Sequence, residues 1–199
     1  MLEKEIWGEI TKSEFDRHMS KFMELYGEPN IKHRLGLEIN DYNNTELDTR
    51  IRITNGTAVI IQKVGKWDGD GAWEREEIEL ELPKDANYVY DLYEVLSNMV
   101  ISNNKQTNTF QNENFIFMTE EVEIKLTHQF GKSDVYTYEV EALVDGVDTV
   151  KFCLENEFTV DASAKDEFYW KSFNEKVNAN REEYTDEEFR GLIQKYLEY

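Results

Sequence analysis

Forty-two of the 199 residues are Asp or Glu against 22 Lys or Arg, a formal net charge of −20. That field repels a phosphate backbone and excludes a general nucleic-acid-binding role. Hydrophobic residues at 40% and aromatics at 13% exclude disorder, and the length fits a single domain, residues 1–199, with a sizeable core.

Cys153 has no cysteine partner in the chain and, between Phe152 and Leu154, reads as a buried thiol. No apolar run approaches the roughly 20 residues of a membrane span, and Met1–Glu5 lacks the basic start and apolar core of a signal peptide. The expectation is a cytoplasmic protein without membrane association. His18, His33 and His128 are scattered without ligand spacing, so zinc is not expected.

Leu2–Ile10 alternates as a strand, with Glu3, Glu5 and Trp7 on one face and Lys4 and Ile6 on the other. Thr11 and Glu14 form a capping box ahead of Phe15, Met19, Phe22, Met23 and Tyr26 at helical spacing, and Gly27 and Pro29 end that helix. His33–Ile39 sets Leu35, Leu37 and Ile39 against Arg34, Gly36 and Glu38. In Asp48–Lys63, Arg50, Arg52 and Thr54 alternate with Ile51 and Ile53; Asn55-Gly56 supplies the positive φ of a tight hairpin turn, and the return strand Thr57–Lys63 ends in a cation. Residues 66–72 read as an exposed loop whose Asp68 and Asp70 lack the downstream glutamate of a calcium loop.

Trp73–Leu82 follows as a strand, Arg75, Glu77 and Glu79 opposing Glu76, Ile78 and Leu80, and Pro83 stops it. Asn87–Met99 is a second amphipathic helix. Thr107–Phe117 and Glu121–Gln129 are strands, the latter with Glu123 and Lys125 opposite Val122, Ile124 and Leu126. After a turn at Gly131–Asp134, Val135–Val144 places Thr137, Glu139 and Glu141 opposite Tyr138, Val140 and Ala142. Ser163–Asn178 and Thr185–Tyr199 are helical, the second opening on a capping box from Thr185 to Glu188.

At least five strands are thus ionic on one face and aliphatic on the other, and each helix needs an apolar surface to cover. Laying helices on the aliphatic faces predicts an α+β fold: an antiparallel β-barrel or tunnel with a polar interior and helices packed on the outside. Glu3, Glu5, Glu139 and Glu141 then supply carboxylate oxygens of the kind that bind Mg²⁺ or Mn²⁺, while Arg50, Arg52, Lys63, Arg75 and Lys125 match the oxygens of a polyphosphate. The competing reading is a set of cross-strand salt bridges on a solvated sheet.

The ordered motifs resemble the CYTH, or triphosphate tunnel metalloenzyme, superfamily. Its N-terminal Glu-x-Glu-x-Lys strand is similar to Glu3-Lys4-Glu5-Ile6-Trp7, with Trp7 where the lysine belongs. Its Arg-x-Arg strand, hairpin lysine, Arg-x-Glu strand and late Glu-x-Glu strand are matched by Arg50-Ile51-Arg52, Lys63, Arg75-Glu76-Glu77 and Glu139-Val140-Glu141. The resemblance implies a tunnel core over residues 2–144 with two helices, and a mainly helical part over 145–199. It implies that Glu3, Glu5, Glu139 and Glu141 hold one or two divalent metals, and that Arg50, Arg52, Lys63 and Arg75, joined by Lys125, grip the phosphates.

An arginine expected after the second helix is absent, with Lys105 the nearest substitute, and Arg34 compensates only if its strand face points inward. Trp7 reads either as a structural tryptophan or as a ring that stacks on a base. The functional expectation is a metal-dependent phosphohydrolase of a triphosphate-bearing small molecule: inorganic triphosphate, thiamine triphosphate or a nucleoside triphosphate. The alternatives are a non-catalytic phosphate-binding or interaction module and, third, an adenylyl cyclase. Oligomeric state is left open.

Overall fold

The computed structural model describes residues 5–41, 43–44, 46–67, 73–160 and 167–199, with only the backbone described at 66–67, 73–75, 167–168 and 170. Glu3, the Asp68 and Asp70 loop and the side chain of Arg75 therefore lie outside the described residues.

The order is β1 (Glu5–Ile10), α1 (Lys12–Tyr26), β2 (Asn30–Asp41), β3 (Leu47–Thr54), β4 (Thr57–Trp67), β5 (Trp73–Glu81), α2 (Ala86–Met99), β6 (Lys105–Met118), β7 (Val122–Phe130), β8 (Val135–Ala142), α3 (Thr149–Glu155), α4 (Glu167–Val177), β9 (Ala179–Asn180), a 3₁₀ turn at Arg181–Glu183, and α5 (Asp186–Leu197). The described strands form one antiparallel sheet in the order β1-β8-β7-β6-β2-β3-β4-β5, with β9 pairing β6. The expected α+β class holds, and the sheet is not closed: among the described residues β1 pairs only with β8 and β5 only with β4.

Local chemistry sets these boundaries. The Glu14 N–H donates to Thr11 Oγ1 at 3.2 Å while the Thr11 N–H donates to Glu14 Oε2 at 2.7 Å, closing the capping box of α1. Asn55 and Gly56 turn β3 into β4 with φ of 46° and 81°. The Asn55 side chain also ties the turn to β2, accepting from the His33 N–H at 2.8 Å and donating to the Ile31 carbonyl at 3.2 Å. β4 runs on to Trp67, so residues 66 and 67, expected in a loop, continue the strand.

Alternation then sorts the sheet into two faces. Leu35, Leu37, Ile39, Ile51, Ile53 and Ala58 turn outward against α2 and α5, and Ile6, Val122, Ile124, Leu126, Tyr138 and Val140 turn outward against α1 and α3. α3 escaped the sequence reading because seven residues are too few to display a period. It seats Cys153 in the core with no exposure, where burial pushes the thiol up to about 12. α4 differs from the other helices in crossing the inward face at one end of the sheet, where Phe173 and Val177 pack with Val135, Trp7 and Tyr169. No helix among the described residues is long and apolar enough to cross a membrane.

Inside the α1 core His18 is fully buried, stacked on Phe158 at 4.2 Å and Phe22 at 5.9 Å, and neither ring nitrogen has a hydrogen-bond partner. Burial, reinforced by Arg17 and Lys21 and opposed by Glu14 and Glu157, brings it down to about 4. The folded state therefore holds the neutral ring where the unfolded chain takes up a proton, so stability is lost as the pH falls from the unfolded value near 6.5 toward 4. At pH 5 the loss amounts to about 2 kcal/mol. His18→Phe is expected to abolish that part of the loss; urea midpoints of both proteins at pH 7.5 and pH 5 check it, and identical pH dependence would refute it.

Candidate functional site

Because side chains directly opposite one another share a face, the pairing register dictates what the inward surface displays. On β2 and β3, Arg34 lies opposite Thr54, Gly36 opposite Arg52, and Glu38 opposite Arg50. On β4 and β5, Lys63 lies opposite Glu77, and Gly65 opposite Arg75. On β1, β8 and β7, the carboxylates Glu5, Glu141 and Glu123 form one cross-strand row, and Trp7, Glu139 and Lys125 form the next.

The sheet curls far enough to bring these walls together. On a flat sheet β8 and β4 would stand five strand spacings, about 24 Å, apart. Yet Glu139 is held below the usual carboxylate range against the opposing effect of burial, by Lys125 together with Arg34 of β2 and Lys63 of β4. Carboxylates and cations from opposite ends of the strand order thus share one lumen.

Most of these charges are paired. The Arg50 Nε donates to Asp48 Oδ1 at 3.0 Å and Arg50 Nη1 lies 3.4 Å from Glu38 Oε1. Lys63 Nζ is 2.6 Å from Glu77 Oε2, Arg52 is bonded to Glu79, and Lys125 to Glu139. Burial and the neighbouring Asp48 push Glu38 up, with Arg50 opposing them. Glu79 is likewise pushed up by burial and by Glu77.

Arg34 breaks the pattern. Its Nε donates to Thr54 Oγ1 at 3.3 Å, and no described carboxylate lies at ion-pair distance from it. Burial and the like charges of Arg52 and Arg50 bring its guanidinium down to about 10, against the pull of Glu139 and Glu123. β2 does face inward at this position, which is the condition under which Arg34 joins the cation set. Lys105, the other candidate, does not: its Nζ donates to the Ser97 carbonyl of α2 at 2.9 Å, on the outer side of β6.

Of the residues read from the sequence, Glu5, Glu139, Glu141, Arg50, Arg52, Lys63 and Lys125 stand on the inward face, as does the backbone position of Arg75. Glu5, Glu141 and Glu123 offer the hard oxygen donors that suit Mg²⁺ or Mn²⁺. Among the described residues, no three His, Cys, Asp or Glu side chains gather closely enough to hold a metal ion. Trp7, in place of the lysine, packs edge to face on Phe173 at 5.6 Å and Tyr169 at 6.3 Å, as the structural reading of that residue requires. The alternation alone concealed the counter-charges Glu38 and Glu79, whose roles depend on which strand is the neighbour, whereas Asp48, two residues before Arg50 on β3, shares its face by alternation.

No family model and no curated protein sequence matches the chain. Solved structures do. A Hippeastrum protein assigned as an adenylyl cyclase, with a dominant triphosphatase activity, aligns over 86% of this chain and 96% of its own at 15% identity and a TM-score of 0.59. The RNA triphosphatase domain of a mimivirus mRNA capping enzyme aligns over 77% and 85% at 13% identity and 0.51. A chain of the Schizosaccharomyces pombe Mediator head module aligns over 79% and 90% at 9% identity and 0.54. The chain therefore shares its fold with two proteins whose names carry a triphosphatase activity and with a chain of an assembly.

Lys125 and Glu139 are 15% and 18% exposed, so removing one partner strands the other in a poorly solvated wall. Lys125→Met is expected to destabilise the protein by roughly 3 kcal/mol at pH 7, with the cost shrinking as the pH falls and Glu139 takes up a proton. The double change Lys125→Met with Glu139→Leu is expected to recover most of the loss in a denaturation series; additive losses would show that the pair is not coupled.

Proposed function

We propose that the lumen binds and hydrolyses a triphosphate-bearing small molecule with the help of a divalent metal. The observation that carries this reading is Arg34: a guanidinium on the inward face, near Arg50 and Arg52, with no carboxylate at ion-pair distance among the described residues. A solvated sheet laced with salt bridges gives no reason to bury a cation unpaired, since stranding a charge costs several kcal/mol. An anionic ligand does.

The remaining cations fit the same role. Arg50 and Arg52 present planar forks suited to bidentate phosphate contacts, while Lys63 and Lys125 act as point charges. Their partners Glu77, Glu79 and Glu139 keep the wall neutral until phosphate oxygens displace them, so binding is an exchange of ion pairs rather than the burial of new charge. Mg²⁺ or Mn²⁺, held by Glu5, Glu139 and Glu141 with Glu3, would neutralise phosphate charge and orient an attacking water. Lys125, now paired with Glu139, would be left to the anion if Glu139 served as a metal ligand.

A second reading, a binding module without turnover, is favoured by Trp7, which fills the lysine position and is packed under α4. The two separate in one experiment. Phosphate release from tripolyphosphate, thiamine triphosphate and ATP is measured with Mg²⁺ and with Mn²⁺, beside the thermal shift each ligand produces. The expected result is release from at least one substrate and its loss by about two orders of magnitude in Glu139→Gln. A shift without release selects the module, and neither shift nor release overturns both. Arg34→Met is expected to keep or raise the melting temperature of the protein alone while losing most of the shift given by tripolyphosphate. A normal shift in that variant would remove Arg34 from the site.

A further inference from the structure

One part of the inward face is neither charged nor satisfied. Asn108 stands on β6 opposite Glu38 and is 1% exposed, yet its amide nitrogen has no hydrogen-bond partner. Two residues earlier on the same face, Gln106 has a buried Oε1 that is also without a partner, while its Nε2 reaches Glu175 of α4 at 3.4 Å. A buried amide left unpaired costs about 1–3 kcal/mol. The wall elsewhere avoids that cost: Asn114 donates to Asn112 Oδ1 at 2.8 Å and accepts from Thr127 Oγ1 at 2.9 Å. The two unpaired groups, one a donor and one an acceptor, therefore stand out within an otherwise bonded surface.

Between Asn108 and Asn112 lies Phe110, and its ring is seated where β2 has no side chain. A Cβ on Gly36, the residue opposite, would come within 2.0 Å of the ring carbons. Gly36 thus lets an aromatic ring lie against the inner wall, with the Arg50 guanidinium 5.9 Å from its centroid. β6 stands two strand spacings, about 10 Å, from β3 and its arginines, which leaves room for a sugar-sized spacer between a ring on β6 and phosphates on β3.

Resting on the triphosphate reading above, we propose that Asn108, Gln106 and Phe110 form a recognition subsite for the organic head of the ligand. That head is a flat heteroaromatic ring with an acceptor and a donor on its edge. Asn108 donates to the ring acceptor, Gln106 Oε1 accepts from the ring amino group, and Phe110 offers an apolar and stacking surface. Nucleoside triphosphates and thiamine triphosphate share this chemistry, whereas inorganic triphosphate lacks it. A site with two buried groups awaiting partners discriminates strongly, because a ligand without the matching edge leaves both unpaired.

Calorimetric titration of the full chain with tripolyphosphate, thiamine triphosphate, ATP, GTP, CTP and UTP, each with Mg²⁺, tests the assignment. At least one ring-bearing ligand is expected to bind ten-fold or more tightly than tripolyphosphate, and the arm that does so identifies the ring. In Asn108→Leu that excess is expected to vanish while tripolyphosphate affinity stays within two-fold and the melting temperature holds or rises. Asn108→Ala serves if the leucine variant does not fold. Equal affinity of all ligands for the wild type, or loss of tripolyphosphate binding along with the rest in Asn108→Leu, overturns the subsite and leaves the triphosphate reading standing. Failure of every ligand to bind overturns that reading and the subsite with it.

Discussion

Burying ionised side chains against one another is the constraint on which this structure turns. A carboxylate or guanidinium taken from water loses several kcal/mol of solvation, recovered only where an opposite charge is close and well oriented. Once alternation has turned the aliphatic faces of the strands to the helices, the ionic faces must meet those terms together. The pairs Arg50 with Asp48 and Glu38, Lys63 with Glu77, Arg52 with Glu79, and Lys125 with Glu139 are the solution, and all but Arg50–Asp48, two residues apart on β3, join different strands. The exception, Arg34, is informative because the same wall shows that a partner could have been provided.

The C-terminal segment packs across the inward face of the sheet. α4 packs Phe173 and Val177 against Trp7 and Val135 on the inward face, and Tyr169 donates its hydroxyl to Glu9 Oε1 at 2.6 Å. Beyond the helix, Asn178 accepts from Gln129 at 2.6 Å and β9 joins β6 at Asn108 and Thr109. This strap runs from the β1 side of the lumen to its β6 side. It packs over Trp7 and brings Glu175 beside Gln106, so the same helix that covers Trp7 also borders the neutral wall.

How much of this was legible beforehand follows from which signals are local. Period-two alternation identified the strands and which residues share a face, and Asn55-Gly56 fixed the register of β3 on β4 without any tertiary information. The inward set of Glu5, Glu139, Glu141, Arg50, Arg52, Lys63 and Lys125 came from that local signal. Strand order did not: β2 pairs with β6, some seventy residues away, as well as with β3, and only the two pairings together reveal that Glu38 neighbours both Arg50 and Asn108. Arg34 was legible as a conditional and needed the facing of β2 to resolve it. The polar interior was expected from the charges, but the inward, buried Ile61 and Ile116 were not, because each shares its face with polar or charged neighbours along its own strand.

Trp7 and the β6 wall bear on one another. A lysine at position 7 would stand beside Glu139 and add a cation to the β1 side of the lumen, whereas tryptophan gives that volume to packing under α4. The inward cations whose side chains are described are concentrated on β2, β3 and β4, with Lys125 alone on β7. A polyphosphate drawn to that cluster lies beside β6, the strand carrying Phe110 and the two unpaired amide groups. Under the triphosphate reading, a cation set weighted away from β1 would place the anionic part of a ligand beside β6, the wall that carries the proposed ring subsite.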